Sequence, residues 1–228
     1  MNKLLVLIGI VAAIVLGVWI LFRNTDHATV PAPQTGAVSD PSITIIAFGD
    51  SLTAGYGLPQ SDAYPQQLEA ALLEQGHAVK VINAGVSGET TRGNLERAAF
   101  IASQEPDIVL LGIGGNDALR ALPIAATKEN ITQTLSILQD VDNPPVILLL
   151  AMQAPLNAGF GYKQAFDALY GDIAAEYNIT LVPFITARIF LDPDNKLPDG
   201  IHYNKTGYSK VVAQYLLPAV EKAIKELR

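Results

Sequence analysis

From residue 43 onward, short apolar runs alternate with longer stretches in which apolar residues recur every three to four positions. Ile43-Thr44-Ile45-Ile46 leads a β-branched run over 43–48, the pattern of a buried strand. Residues 64–75 carry Leu68, Leu72 and Leu73 at helical spacing and stop before Gly76, as helices commonly do. Residues 79–82 predict a second strand, 91–104 a helix halted by Pro106, and 108–113 (IVLLGI) a strand buried on both faces. A helix containing 129–138 sets Ile131, Leu135 and Leu138 on one face, and 146–151 (VILLLA) predicts another central strand. A helix over 162–177, a short strand over 181–183 and a closing amphipathic helix over 206–227 complete the pattern. Five strands alternating with helices predict a parallel sheet covered on both faces, one α/β domain over 42–228.

The first 41 residues follow different rules. Residues 4–22 contain no charged side chain, and as a helix they would span ~28 Å, close to a bilayer's hydrocarbon core. The run is long for a signal peptide, and it ends in bulky Trp19-Ile20-Leu21-Phe22 before Arg23, where a cleavage site needs small residues. An uncleaved single-pass anchor over 1–23 is therefore expected, with cleavage near His27-Ala28 as the alternative. Residues 24–41 mix Pro, Ala, Thr, Ser and Gly without a period and read as a flexible tether of at most ~60 Å. The hydrophilic body is expected outside the cytoplasm of a bacterial cell, facing the periplasm from the inner membrane.

Half of the residues are hydrophobic and the chain holds no cysteine. That excludes a disordered protein, a disulfide framework, thiol catalysis and a lipidated N-terminal Cys. Lys3 and Arg23 balance Asp26 and Asp40, so the whole formal charge of −7 falls on the folded part. An acidic body collects phosphate backbones poorly, and nucleic acid is not an expected partner.

Open parallel sheets carry their chemistry beyond the carboxyl ends of the strands. The first strand ends in Gly49-Asp50-Ser51, the second in Asn83-Ala84-Gly85-Val86-Ser87-Gly88, and the third in Gly114-Gly115-Asn116-Asp117. After the fifth comes Pro198-Asp199-Gly200-Ile201-His202. Ser51 is a candidate nucleophile, which needs a base of near-neutral pKa. Of three histidines, His27 lies in the tether and His77 at the entry to the second strand, which leaves His202. Asp199, three residues earlier in a turn, can orient the imidazole. The backbone N–H groups of Ser51 and Gly88 and the Asn116 amide are candidate donors to an oxyanion. Asp50 and Asp117 read as positioning groups that bond loop backbone. No Gly-x-Ser-x-Gly elbow, phosphate loop or dinucleotide fingerprint occurs. One well-placed His without Cys gives no zinc site, and neither metal nor cofactor is expected.

Gly-Asp-Ser-Leu at 49–52, Val-Ser-Gly at 86–88, Gly-Gly-Asn-Asp at 114–117 and Asp-Gly-Ile-His at 199–202 together resemble the four motif blocks of the GDSL, or SGNH, hydrolases. Within that family Asp-Ser-Leu-Thr-Ala-Gly-Tyr-Gly-Leu and Ile-Asn-Ala-Gly-Val-Ser-Gly-Glu-Thr-Thr are most similar to the bacterial thioesterase I/lysophospholipase L1/arylesterase group. The resemblance implies a flavodoxin-like three-layer α/β/α sandwich on a five-stranded parallel sheet. It implies activity on acyl esters, thioesters and lysophospholipids, with Ser51, Asp199 and His202 catalytic and Ser51, Gly88 and Asn116 forming the oxyanion hole. Tyr203 stands where the family often has Pro after the His.

The apolar, glycine-rich loop 153–162 is expected to contact the acyl chain through Pro155, Leu156 and Phe160. A monomer is expected. Two other readings keep the fold: an acetylesterase acting on envelope carbohydrate, and a tethered binding domain on a dead hydrolase scaffold.

Overall fold

A computed structural model describes residues 43–227. The predicted anchor, the tether with His27, and Ser42 lie outside the described residues. Among those described, no helix is long and apolar enough to cross a membrane.

Strand β1 (Ile43–Gly49) lies between β2 (Val79–Gly85) and β3 (Ile108–Gly112), and β4 (Val146–Ala151) and β5 (Thr180–Pro183) extend the sheet beyond β3. All pairings are parallel, in the order β2-β1-β3-β4-β5. From β1 the chain steps out to β2 and then crosses back past β1 to β3, so the winding reverses at β1 and a crevice opens at the carboxyl ends of β1 and β3. β3 is buried at every position and β1 at all but Thr44, which is why both read as continuous apolar runs rather than alternating ones.

Helices α1 (Ser51–Ala54) and α2 (Tyr64–Glu74) follow β1, and α3 (Thr91–Ala102) follows β2. Helices α4 (Gly115–Leu119) and α5 (Ile124–Gln139) follow β3, and α6 (Phe160–Glu176) follows β4. After β5 come α7 (Ala187–Phe190), α8 (Lys205–Val211) and α9 (Leu217–Glu226). Helix α5 packs against both α3 and α6 in one layer; α2 packs against α8 and α9 in the other. Ile131, Leu135 and Leu138 face the core as their spacing requires, and so do Leu68 and Leu72, but Leu73 is exposed.

The expected closing helix is not continuous. A π turn (Val212–Leu216) separates α8 from α9, because Pro218 has no N–H to donate back into the preceding turn. The predicted strand over 79–82 runs on to Gly85, since Asn83 and Ala84 pair with Ala47 and Phe48. Helix α6 begins two residues earlier than predicted, at Phe160.

Between β5 and α8 the chain returns across the carboxyl edge to β1. Tyr203 anchors this return: it is fully buried, packs edge-on against Phe184, Phe190 and Tyr208, and donates its hydroxyl to Phe184 O at 3.0 Å. An antiparallel bridge joins Tyr203 to Lys196, and Leu197 N donates to His202 O at 2.8 Å. Residues 198–201 therefore form the tip of a short hairpin, fixed by a buried aromatic ring.

Candidate active site

Ser51 opens α1 directly after β1. At Gly49 a Cβ would lie 2.1 Å from Thr53 Oγ1 and 2.5 Å from Gly112 O, so only glycine lets the strand turn so sharply beside β3. Ser51 Oγ and His202 Nε2 are 2.9 Å apart, although 151 residues separate them in sequence. On the other side of the ring, His202 Nδ1 lies 2.7 Å from Asp199 Oδ2. With the proton on Nδ1 facing the carboxylate, Nε2 is left as an acceptor for the serine hydroxyl. Asp199 Oδ1 also accepts from Ile201 N at 2.8 Å and His202 N at 3.0 Å. Partial burial raises the Asp199 carboxyl, but these donors outweigh it and hold it below the usual aspartate range. It therefore faces the imidazole as an anion.

The loop after β2 is a tight turn in which Glu89 N donates to Val86 O at 3.2 Å. Gly88 occupies its third position with φ +82°, a conformation that glycine adopts without strain. Among the described residues, neither the Ser51 nor the Gly88 backbone N–H has an acceptor within the protein. Asn116 Nδ2 donates to Glu89 O at 3.0 Å, which orients the amide and leaves it a second proton. Asp117 accepts from Thr91 N at 2.8 Å and Thr91 Oγ1 at 2.6 Å, tying the loop after β3 to the start of α3.

An apolar cavity of ≈ 250 Å³ opens beside this cluster. Leu52, Gly115 and Ile201, the sequence neighbours of Ser51, Asn116 and His202, line it together with Pro155 and Leu156. Phe160 is not brought to it; its ring is 84% exposed at the start of α6. His77 sits at the opposite edge of the sheet, where β2 begins. Among the described residues no group of three or more His, Cys, Asp and Glu is arranged to hold a metal ion.

Three contributors escaped the sequence reading. Tyr56 lays its ring over His202 with centroids 4.6 Å apart. Glu89 and Arg97 pair beneath the β2 loop at 2.6 Å. Tyr56 and Glu89 lie inside motif blocks already noted, so only their roles were hidden. Arg97 lies in a helix, and nothing local marks it.

Residues 47–210 match the GDSL-like lipase/acylhydrolase family. The chain belongs to that family. It is 34% identical over 167 residues to the arylesterase of Vibrio mimicus, spanning 73% of this chain and 82% of that one. It is 36% identical over 165 residues to thioesterase 1/protease 1/lysophospholipase L1 of Escherichia coli K12, spanning 71% and 76%. Of solved structures, the SGNH-hydrolase esterase AlinE4 is 40% identical with a TM-score of 0.65, over 80% of this chain and 96% of that one. The psychrotrophic esterase EstA from Pseudoalteromonas sp. is 29% identical with a TM-score of 0.71, over 80% and 97%. Family membership brings the reaction class with it: the protein is a carboxylic ester hydrolase of the esterase, thioesterase and lysophospholipase kind.

Asp50, beneath Ser51, is 1% exposed and accepts from Leu52 N at 3.0 Å. Burial pushes its carboxyl up to about 6, against lowering by Leu52 N–H, the His202 charge and Gly115 N–H, with Asp117 raising it further. A carboxyl raised on folding stabilises the native state below its unfolded pKa, and that contribution is lost as pH rises through its folded value. Relative to Asp50→Asn, the wild-type protein is therefore expected to lose about 2 kcal/mol of unfolding free energy between pH 4 and pH 8. Asparagine at 50 also accepts less strongly from Leu52 N–H and Gly115 N–H, which changes the offset between the two proteins but not this slope. Denaturant melts of both proteins across that range check it, and parallel profiles would contradict the buried, late-titrating carboxyl.

Proposed function

We propose that the chain hydrolyses acyl esters and thioesters, lysophospholipids among them, through a Ser51–His202–Asp199 triad and an acyl-enzyme. The observation that carries this reading is the unbroken relay from Asp199 through both nitrogens of His202 to Ser51 Oγ. His202 Nε2 takes the hydroxyl proton as Oγ attacks the acyl carbonyl carbon. The tetrahedral oxyanion accepts from Ser51 N–H, Gly88 N–H and the free proton of Asn116 Nδ2. His202 returns its proton to the leaving alcohol or thiol, the C–O or C–S bond breaks, and the acyl group remains on Ser51. Water then attacks by the same route and releases the acid.

The acyl chain occupies the apolar cavity, whose Leu52 and Ile201 flank the reacting groups. That lining offers an acetylated sugar few polar partners, which disfavours envelope carbohydrate as the substrate. The domain plan is an anchor over 1–23, a tether over 24–41 and a hydrolase domain over 42–228. A monomer is held at the bacterial inner membrane with its catalytic domain facing the periplasm. The charge-free run 4–22, ending in Trp19 and Phe22, supports that placement.

A panel of p-nitrophenyl esters and acyl thioesters tests the chemistry. Wild-type protein is expected to turn over, Ser51→Ala to be inactive, and Asn116→Ala to lose on the order of 10²–10³ in kcat. Near-normal turnover in either variant would overturn the assignment. Leu156→Arg is expected to lower kcat/KM for octanoyl relative to acetyl esters by about tenfold, the apolar contact of nearly two methylenes. Phe160→Arg should leave that ratio unchanged; the reverse pattern would move the acyl site to the start of α6. In cell fractionation the full-length chain should stay with membranes after an alkaline wash, whereas a shortened soluble form would mean cleavage.

A further inference from the structure

The ion pair beneath the β2 loop reaches further than one contact. Arg97 Nη2 donates to Gly49 O at 3.1 Å, to Ala84 O at 2.8 Å and to Glu89 Oε2 at 2.6 Å, while Nε donates to Glu89 Oε1 at 2.8 Å. The guanidinium carbon lies 4.6 Å from the centroid of the Phe48 ring. The Arg97 and Glu89 side chains are only 23% and 11% exposed. Buried Asn94 gives its amide to the same carboxylate, and its own Oδ1 has no partner among the described residues.

What the pair touches matters more than its strength. Gly49 is two residues before Ser51, Ala84 is the penultimate residue of the neighbouring strand, and Glu89 directly follows Gly88. The carbonyl of Glu89 is also the acceptor that orients Asn116 Nδ2. One planar fork thus holds the Gly49 carbonyl ahead of Ser51 and the side chain of Glu89, the residue that follows Gly88 and whose carbonyl orients Asn116. Residues 86–88 are exposed and lie outside any helix or strand, and the glycine at 88 adds freedom, so the Gly88 N–H needs such a hold. Helix α3 yields space for it. At Gly93, inside the helix, a Cβ would stand 2.7 Å from Glu89 Cγ, although alanine is the better helix former.

We propose that Arg97 and Glu89 are positioning residues that set the spacing of the oxyanion hole. The proposal rests on the triad and donor set given under Proposed function. Lysine keeps the charge but not the fork that serves two carbonyls and a carboxylate at once. A donor displaced by as little as an ångström loses most of its effect on the transition state, while ground-state binding in the apolar cavity is left intact.

Steady-state kinetics on p-nitrophenyl butyrate, thermal melts and the rate of Ser51 labelling by a fluorophosphonate are measured on the full chain. The proteins compared are wild type, Ser51→Ala, Arg97→Lys and Gly93→Ala. Arg97→Lys is expected to lose about 10² in kcat with KM changed by less than about threefold, and its labelling rate should fall in parallel. Gly93→Ala is expected to melt no lower than wild type while its kcat falls, a combination that a purely structural pair would not produce. Should Arg97→Lys fail to fold, Gly93→Ala decides alone. Folded variants that keep kcat within about threefold of wild type overturn the clamp. So does a lowered melting temperature with unchanged turnover per folded molecule. If wild type shows no Ser51-dependent turnover, the triad and the clamp fall together; if it does and both variants match it, only the clamp falls.

Discussion

A contact of 2.9 Å between Ser51 Oγ and His202 Nε2 requires two loops on opposite sides of the sheet to meet at one rim. β1 delivers the serine at the crevice, but β5, which precedes the histidine, lies at the far edge. The chain solves this with a return segment locked at both ends. Tyr203 fills an aromatic pocket immediately after His202. One turn further on, Tyr208 donates its hydroxyl to Leu52 O at 2.7 Å, the carbonyl next to the nucleophile. Buried Asn195 donates to Ile189 O and accepts from Lys210 Nζ, so the return segment bonds to itself as well as to the core. The serine and the imidazole are thus held by groups whose burial contributes to folding whether or not substrate is present.

Carboxylates dominate the polar part of the site, and each has been given backbone donors. Asp199 takes two N–H groups besides the imidazole, Asp117 takes the Thr91 N–H, and Asp50 takes that of Leu52. Asp50 is the least comfortable, since burial and Asp117 both act against its ionisation. Its position explains why it is tolerated. It fixes the turn that carries Ser51 and reaches the loop that carries Asn116, where a Cβ on Gly115 would come within 2.8 Å of Oδ2. Side chains that join two loops through backbone N–H groups hold both at once, which an apolar residue of the same size could not do.

Most of the scaffold was legible because it is periodic. β1, β3 and β4 follow from unbroken apolar runs, and α2 and α5 from helical spacing; the order of the motif blocks placed Ser51, Gly88, Asn116, Asp199 and His202 at carboxyl ends. What stayed hidden has no local period. The stretch between β5 and α8 is built from a four-residue helix, a single 3₁₀ turn and one bridge, each fixed by packing rather than by its own sequence. Leu73 fits the apolar stripe of α2 by spacing, yet among the described residues it stands exposed. Arg97 looks like an ordinary exposed helix cation until β1 and β2 bring Gly49 O and Ala84 O beneath it. Phe160 sits in an apolar loop by composition, but α6 begins there and turns its ring to solvent.

The apolar cavity and the polar relay are not separate constructions. Leu52 follows Ser51, Ile201 precedes His202 and Gly115 precedes Asn116, and these neighbours line the cavity while their partners gather at its polar margin. Successive residues of a turn point to different sides, so one backbone path can present a reacting group to one side and apolar surface to the other. On the reading proposed above, an ester's carbonyl would lie over Ser51 with its acyl chain in the cavity, and the leaving group would be directed toward solvent past Asp199 and Tyr56, both exposed. On that reading, a site of this shape would constrain the acyl side of its substrate closely and the alcohol or thiol side hardly at all, so that one pocket could serve esters and thioesters alike.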